Sequence, residues 1–159
     1  MCGIVGILGS KPVAEQLVDA LKRLEYRGYD SAGVATLDHG VLGRRRAEGK
    51  LRALETRLDR EPLGGNIGIG HTRWATHGRP TEDNAHPHAT DLVAVVHNGI
   101  IENFRELRER LTKKGCKFVS ETDTEAVAHL VSQEMKDGKS PADAVASALK
   151  QLRGAFALA

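Results

Sequence analysis

A strand-like apolar run gives way to a helical stripe almost at the start of the chain. Ile4, Val5, Ile7 and Leu8 form a short hydrophobic segment that predicts a buried β-strand, which places Cys2 at its mouth. From Val13 to Glu25 the apolar residues recur at Ala14, Leu17, Val18, Leu21 and Leu24, the spacing that gathers them on one helical face while Lys22 and Glu25 stay wet. The same alternation continues along the chain and predicts an α+β protein. Strands are expected at Ala32 to Leu37 and Val41 to Arg46, joined as a hairpin through Asp38-His39-Gly40, where glycine supplies a positive φ. Lys50 to Asp59 predicts a helix, and Asn66 to His71 and Leu92 to His97 predict strands around a long polar segment, residues 72–91.

Helix signals mark the second half. Asn103 with Glu106, and Thr122 with Glu125, have capping-box spacing; Gly115 suits a helix stop, and Ser140-Pro141 a helix start. Ala155 to Ala159 is an apolar strand without a turn after it, so the domain is expected to be incomplete on its C-terminal side. With 159 residues, 40% of them apolar, the chain has material for one core. The charge balance, 23 basic against 21 acidic residues, lacks the basic field that nucleic acid selects. Two cysteines, Cys2 and Cys116, suit a reducing, cytoplasmic setting, and the N-terminal segment is too short and too interrupted for a signal peptide or membrane span.

Cys2 carries the strongest chemical signal. Removal of Met1 would leave a cysteine with a free α-amine, whose pKa of about 8 makes it partly basic at neutral pH while a thiol near 8.5 is still mostly protonated. Nucleophile and base would then share one residue, with a bridging water to pass the proton. The alternative is a small buried thiol without chemistry. Asn98-Gly99 offers a side-chain amide and a close backbone N–H, the two donors an oxyanion needs, but the same pair is also a hairpin-turn signal. Arg73 could pair with a substrate carboxylate, and Asp123 either holds an ammonium group or caps a helix. His71, His77, His86, His88 and His97 raise a metal-site alternative, although their spacing fits no zinc signature. Arg44, Arg45 and Arg46 predict a solvated strand end, and Cys116 a structural thiol.

Five motifs, Cys2-Gly3-Ile4-Val5-Gly6, Tyr26-Arg27-Gly28-Tyr29-Asp30-Ser31, His71 to Gly78, His97-Asn98-Gly99 and Glu121 to Glu125, follow one another in an order that resembles the class II glutamine amidotransferases. The forms of the second and third favour the branch that aminates a sugar phosphate over the amidophosphoribosyltransferase and asparagine synthetase types. The resemblance implies an N-terminal-nucleophile fold, a four-layer αββα sandwich, with residues 1–159 forming an incomplete glutaminase domain. It also implies that Cys2 attacks the amide of L-glutamine, that Asn98 and Gly99 bind the oxyanion, and that Arg73 and Asp123 hold the α-carboxylate and α-amine. Thr76 and His77 would line the glutamine pocket, Trp74 would gate ammonia passage and Arg27 would lie near the nucleophile. No cofactor or metal is implied. Fructose 6-phosphate would be met only through a C-terminal isomerase half, in a full-length enzyme expected to be a homo-oligomer.

Overall fold

The structure, a computed structural model, describes residues 2–74 and 79–159. The first sheet is built from β1 (Gly3–Leu8), β2 (Ser31–Asp38), β3 (Val41–Glu48) and β4 (Ile67–Arg73), antiparallel throughout in the order β1-β4-β2-β3. His39 and Gly40 close the β2–β3 hairpin with φ of 47° and 83°, as a two-residue turn between right-twisted strands requires. Helices α1 (Ala14–Lys22) and α2 (Leu51–Arg60) cover one face of this sheet, burying Leu17, Leu21, Leu51 and Leu54 against Ala32 and Val34. Each such leucine contributes roughly 1.5–3 kcal/mol of transfer free energy.

Side-chain alternation in β4 explains how closely α1 approaches. A Cβ at Gly68 would lie 2.8 Å from Leu17 Cδ1, and one at Gly70 would lie 3.1 Å from Leu21 Cδ1. Glycine on the helix side therefore lets the layers close, while His71 and Arg73 take the opposite phase and face inward.

The second layer comprises β5 (His88–Ala89) with β6 (Ala94–Val95), and β7 (His97–Ile101) with β8 (Gly154–Leu158). At Val96 the chain changes partner, exchanging backbone hydrogen bonds of 2.9 and 3.1 Å with Ala159. Helices α3 (Phe104–Lys113), α4 (Thr124–Lys136) and α5 (Pro141–Leu149) cover the outer side, packing Leu107, Leu111, Val127, Leu130 and Ala148 around Ile101. The two strand layers meet directly: a Cβ at Gly33 would lie 2.2 Å from His86 O. The result is the four-layer αββα sandwich.

Several local readings need correction. Residues 92–97 do not form one strand, because β6 stops at Val95 and β7 begins at His97. Asn98 and Gly99 lie within β7, paired with Ala157 and Phe156, so the hairpin-turn alternative is excluded. Asn103 precedes α3 without capping it; its side chain instead donates to Gln151 O and accepts from Arg153 N, both at 2.9 Å. Thr122 does not cap α4 either. Its hydroxyl meets His88 Nε2 at 2.9 Å, and Glu125 accepts from the Val119 and Ser120 backbone N–H groups. The arginine run is not a solvated strand end: Arg46 is buried and donates to the Asp83 and Ala85 carbonyls, while Arg44 donates to that of Pro87. These carbonyls have no strand partner, and the guanidinium groups supply the missing donors.

Candidate active site

The open end of the two strand layers encloses a cavity of about 600 Å³ whose lining includes Cys2, Arg27, Arg73, Trp74, Asn98, Gly99 and Asp123. Thr76 and His77 lie outside the described residues. The sequence-derived candidates come from five separate stretches, and the pairing of β1 with β4 and the approach of β7 to β1 bring Cys2, Arg73, Trp74, Asn98 and Gly99 together. Cys2 sits just before β1, where Trp74 N donates to its Sγ at 3.2 Å. The sulfur is thereby tied to the end of β4.

On the opposite wall, Asn98 donates from Nδ2 to Cys2 O at 3.2 Å. Its Oδ1 lies 2.8 Å from His71 Nε2, which is also 3.0 Å from the His97 carbonyl. Gly99 has a φ of 120°, and a Cβ there would lie 2.2 Å from Ala155 O. Only glycine permits both that backbone turn and the close β8 neighbour.

Two opposite charges face the same space. Arg73 is buried at the end of β4, and burial lowers its pKa, but a guanidinium starts high enough to remain charged. Its Nη1 lies 3.4 Å from Arg79 O and 4.0 Å from Asp30 Oδ1. Asp123 immediately precedes α4, but its carboxylate makes no helix cap; Oδ2 accepts from Ile101 N at 2.8 Å and Oδ1 lies 3.6 Å from His97 Nδ1. Burial pulls its pKa up, yet the His97 and Ile101 contacts outweigh burial and hold it below the usual value. A separated cation and anion in one cleft complement a zwitterionic amino acid.

The rim is aromatic. Trp74 is 53% exposed, and its ring lies so close to Gly28 that a Cβ there would be 2.4 Å from Cζ3. Arg27 donates from Nε to Tyr26 Oη at 3.1 Å.

A histidine layer that residue spacing alone did not reveal forms part of the cavity wall, with His71, His86 and His97 in its lining. His71 and His86 stack at 4.2 Å between ring centroids, and His86 meets His88 edge-on at 4.8 Å. Thr124 Oγ1 joins His86 Nε2 at 2.8 Å to His97 Nδ1 at 3.0 Å. Burial pushes His71 down to about 4 and His88 to about 3, and lowers His86 strongly, so these rings are neutral at pH 7. Among the described residues no group of three His, Cys, Asp or Glu side chains is arranged to hold a metal ion. The available signal was strand phase, which puts His71 on the same face as Arg73.

An αββα sandwich with a cysteine at the first strand's mouth and an Asn-Gly pair facing it defines the N-terminal-nucleophile amidotransferases. The family model for the glutamine amidotransferase domain matches residues 71–159, and the chain belongs to this family. It is 72% identical over 158 residues to a glutamine-fructose-6-phosphate aminotransferase (isomerizing) of Bradyrhizobium diazoefficiens, covering 99% of this chain and 26% of the relative. The enzyme of that name from Brucella abortus biovar 1 is 70% identical over 159 residues, covering 100% and 26%. The chain thus spans about a quarter of these relatives' length. Among solved structures, the glutamine phosphoribosylpyrophosphate amidotransferase of B. subtilis superposes with a TM-score of 0.82 at 26% identity, covering 99% of this chain and 34% of that one. Among the described residues, no helix is long and apolar enough to cross a membrane.

Proposed function

We propose that this chain hydrolyses the side-chain amide of L-glutamine and that the ammonia aminates fructose 6-phosphate in the complete enzyme. The observation that carries the first part is the convergence of Cys2, Asn98, Gly99, Arg73 and Asp123 on one cavity. Arg73 binds the α-carboxylate of glutamine in a charge-assisted fork, and Asp123 accepts from the α-ammonium. We assign Thr76 and His77 a further part in binding glutamine.

After Met1 is removed, the Cys2 α-amine takes the thiol proton through a water, and Sγ adds to the amide carbon. The carbonyl electron pair moves onto oxygen, where Asn98 Nδ2–H and Gly99 N–H stabilise it. Collapse expels ammonia, with a proton returned from the α-ammonium, and leaves a glutamyl thioester. Water then adds to the thioester, the C–S bond breaks, and glutamate departs as the thiol is regenerated. Trp74 on the rim gates the exit of ammonia, and Arg27 lines the same cavity as the nucleophile.

The 72% identity to an enzyme named for fructose 6-phosphate supports the acceptor, which residues outside this chain would bind. The complete enzyme is proposed to be cytoplasmic and homo-oligomeric, with the isomerase half beyond residues 1–159.

Glutamate release by Cys2→Ala, in the polypeptide as its genome encodes it, is expected to fall by about 10³-fold or more. Undiminished turnover would remove Cys2 from the mechanism. Intact mass identifies the active species: a sample retaining Met1 is expected to be inactive. Supplying fructose 6-phosphate, phosphoribosyl pyrophosphate or aspartate in parallel and analysing the aminated product decides the acceptor.

A further inference from the structure

The Asn98 amide can help an oxyanion only if its NH2 end faces the cavity; reversed, it presents a carbonyl oxygen to developing negative charge. The hydrogen bonds around His71 determine which way it sits. The His97 carbonyl can only accept, so His71 Nε2, 3.0 Å away, must carry the hydrogen. A nitrogen that donates requires an acceptor at its second neighbour, 2.8 Å away, which makes that Asn98 atom Oδ1. The NH2 end is therefore left facing Cys2 O and the cavity. His71 Nδ1 is buried and, among the described residues, has no hydrogen-bond partner, as suits a bare lone pair better than a stranded N–H.

We propose that His71, held as the Nε2–H tautomer, is a positioning residue that sets the orientation of the Asn98 amide and hence the donor character of the oxyanion pocket. This rests on the role given to Asn98 above. Neutrality is maintained by burial, which lowers His71 to about 4. Stacking on His86 holds the ring plane in place. The opposite tautomer would aim a lone pair at two oxygens and favour the reversed amide.

The test is a cycle of His71→Leu, His71→Gln and Asn98→Ala in the polypeptide as its genome encodes it, with glutaminase activity and circular dichroism as readouts. Loss of one oxyanion donor typically costs about 10²–10³ in kcat, and His71→Leu is expected to approach the lower figure while KM for glutamine moves less than about threefold. His71→Gln, whose terminal N–H reaches the Nε2 position, is expected to recover to within about tenfold of wild type. In the Asn98→Ala background, His71→Leu should cost less than about twofold, because the group it orients is gone. A full further loss there, or a rise in KM that accounts for the defect, would overturn the proposal by making His71 a general support. If Asn98→Ala leaves turnover unchanged, the oxyanion reading of Asn98 fails first and takes the proposal with it. Should His71→Leu not fold, nitrogen NMR of the wild-type protein labelled at histidine decides the matter: a protonated Nε2 with a bare Nδ1 at pH 7 is expected, and the reverse pattern refutes it.

Discussion

The two interfaces on either side of the first sheet are built from different materials. Toward α1 and α2 the sheet buries aliphatic side chains, with Leu17, Leu21 and Val34 fully enclosed. On the inner side the buried groups include His71, His86, His88, His97, Thr122, Thr124, Arg46 and Arg73. Aliphatic packing is non-directional and tolerates volume-conserving exchange, whereas each buried imidazole or guanidinium must find particular partners. The outer layers thus supply stability, while the inner layer gives up some of it for orientation. Asn98 and Asp123 each meet that inner layer, through His71 and His97 respectively.

Acid should separate the two interfaces most strongly. Well above pH 6.5, His71, His86 and His88 are neutral in both the folded and the unfolded chain. As pH falls below 6.5, the unfolded chain binds protons that the native rings refuse, so stability is lost until the native pKa values of about 4 for His71 and about 3 for His88 are reached. At full extent this amounts to on the order of 3 kcal/mol for His71 and 5 kcal/mol for His88, since each pKa unit is worth about 1.4 kcal/mol. Urea midpoints measured from pH 7.5 to 5 are expected to fall steadily, and His88→Gln should flatten the slope. A flat wild-type profile would mean that the rings already titrate normally in the fold.

Leu17→Ala probes the aliphatic side. It should cost about 2–5 kcal/mol by transfer and cavity terms, with the same loss at pH 7.5 and pH 5.5. A pH-dependent loss would show that α1 is coupled to the histidine layer. Thr124→Val keeps the shape but removes the hydroxyl that joins His86 to His97. It is expected to cost about 1–3 kcal/mol, the penalty for stranding buried polar atoms. Glutaminase activity should also fall, because His97 lies beside Asp123; unchanged activity would confine the histidine layer to a structural role.

The same contrast explains what could be read in the sequence. The Leu17-Val18-Leu21 stripe and the His39-Gly40 turn are local signals whose physics lies within a few residues, and both elements formed where the spacing put them. Cys2, Asn98 and Gly99 stood out because a thiol, an amide and a close backbone N–H suit acyl transfer, and Arg73 and Asp123 because their charges suit the two ends of a free amino acid; motif order tied the five together. Asn103 and Thr122 misled for the opposite reason: each has capping spacing, but partners distant in sequence, Arg153 and His88, compete for its side chain. Arg44 to Arg46 looked solvated because the carbonyls they satisfy belong to residues 83–87, which come beside them only when the two layers close. His71 could be assigned to a strand, yet its tautomer depends on the His97 carbonyl, which lies 26 residues away in sequence.

Ser140→Ala should have the smallest effect and offers the cleanest control for the outer layers. Ser140 is the one helix-start residue among those anticipated that caps as its spacing suggests: Oγ accepts from Asp143 N at 3.2 Å and donates to Asp143 Oδ2 at 2.6 Å. With Pro141 in the first turn, the bond satisfies one of the α5 N–H groups left without an intrahelical partner. The site is exposed, so water partly replaces what alanine removes, and the expected loss is about 1 kcal/mol. Because no α5 residue is among the described residues lining the cavity and the helix packs on α4, kcat and KM for glutamine should not change. A loss well above 2 kcal/mol, or any change in kcat, would show that the aliphatic outer layer also sets the geometry of the site, and the division of labour between the two interfaces would fail.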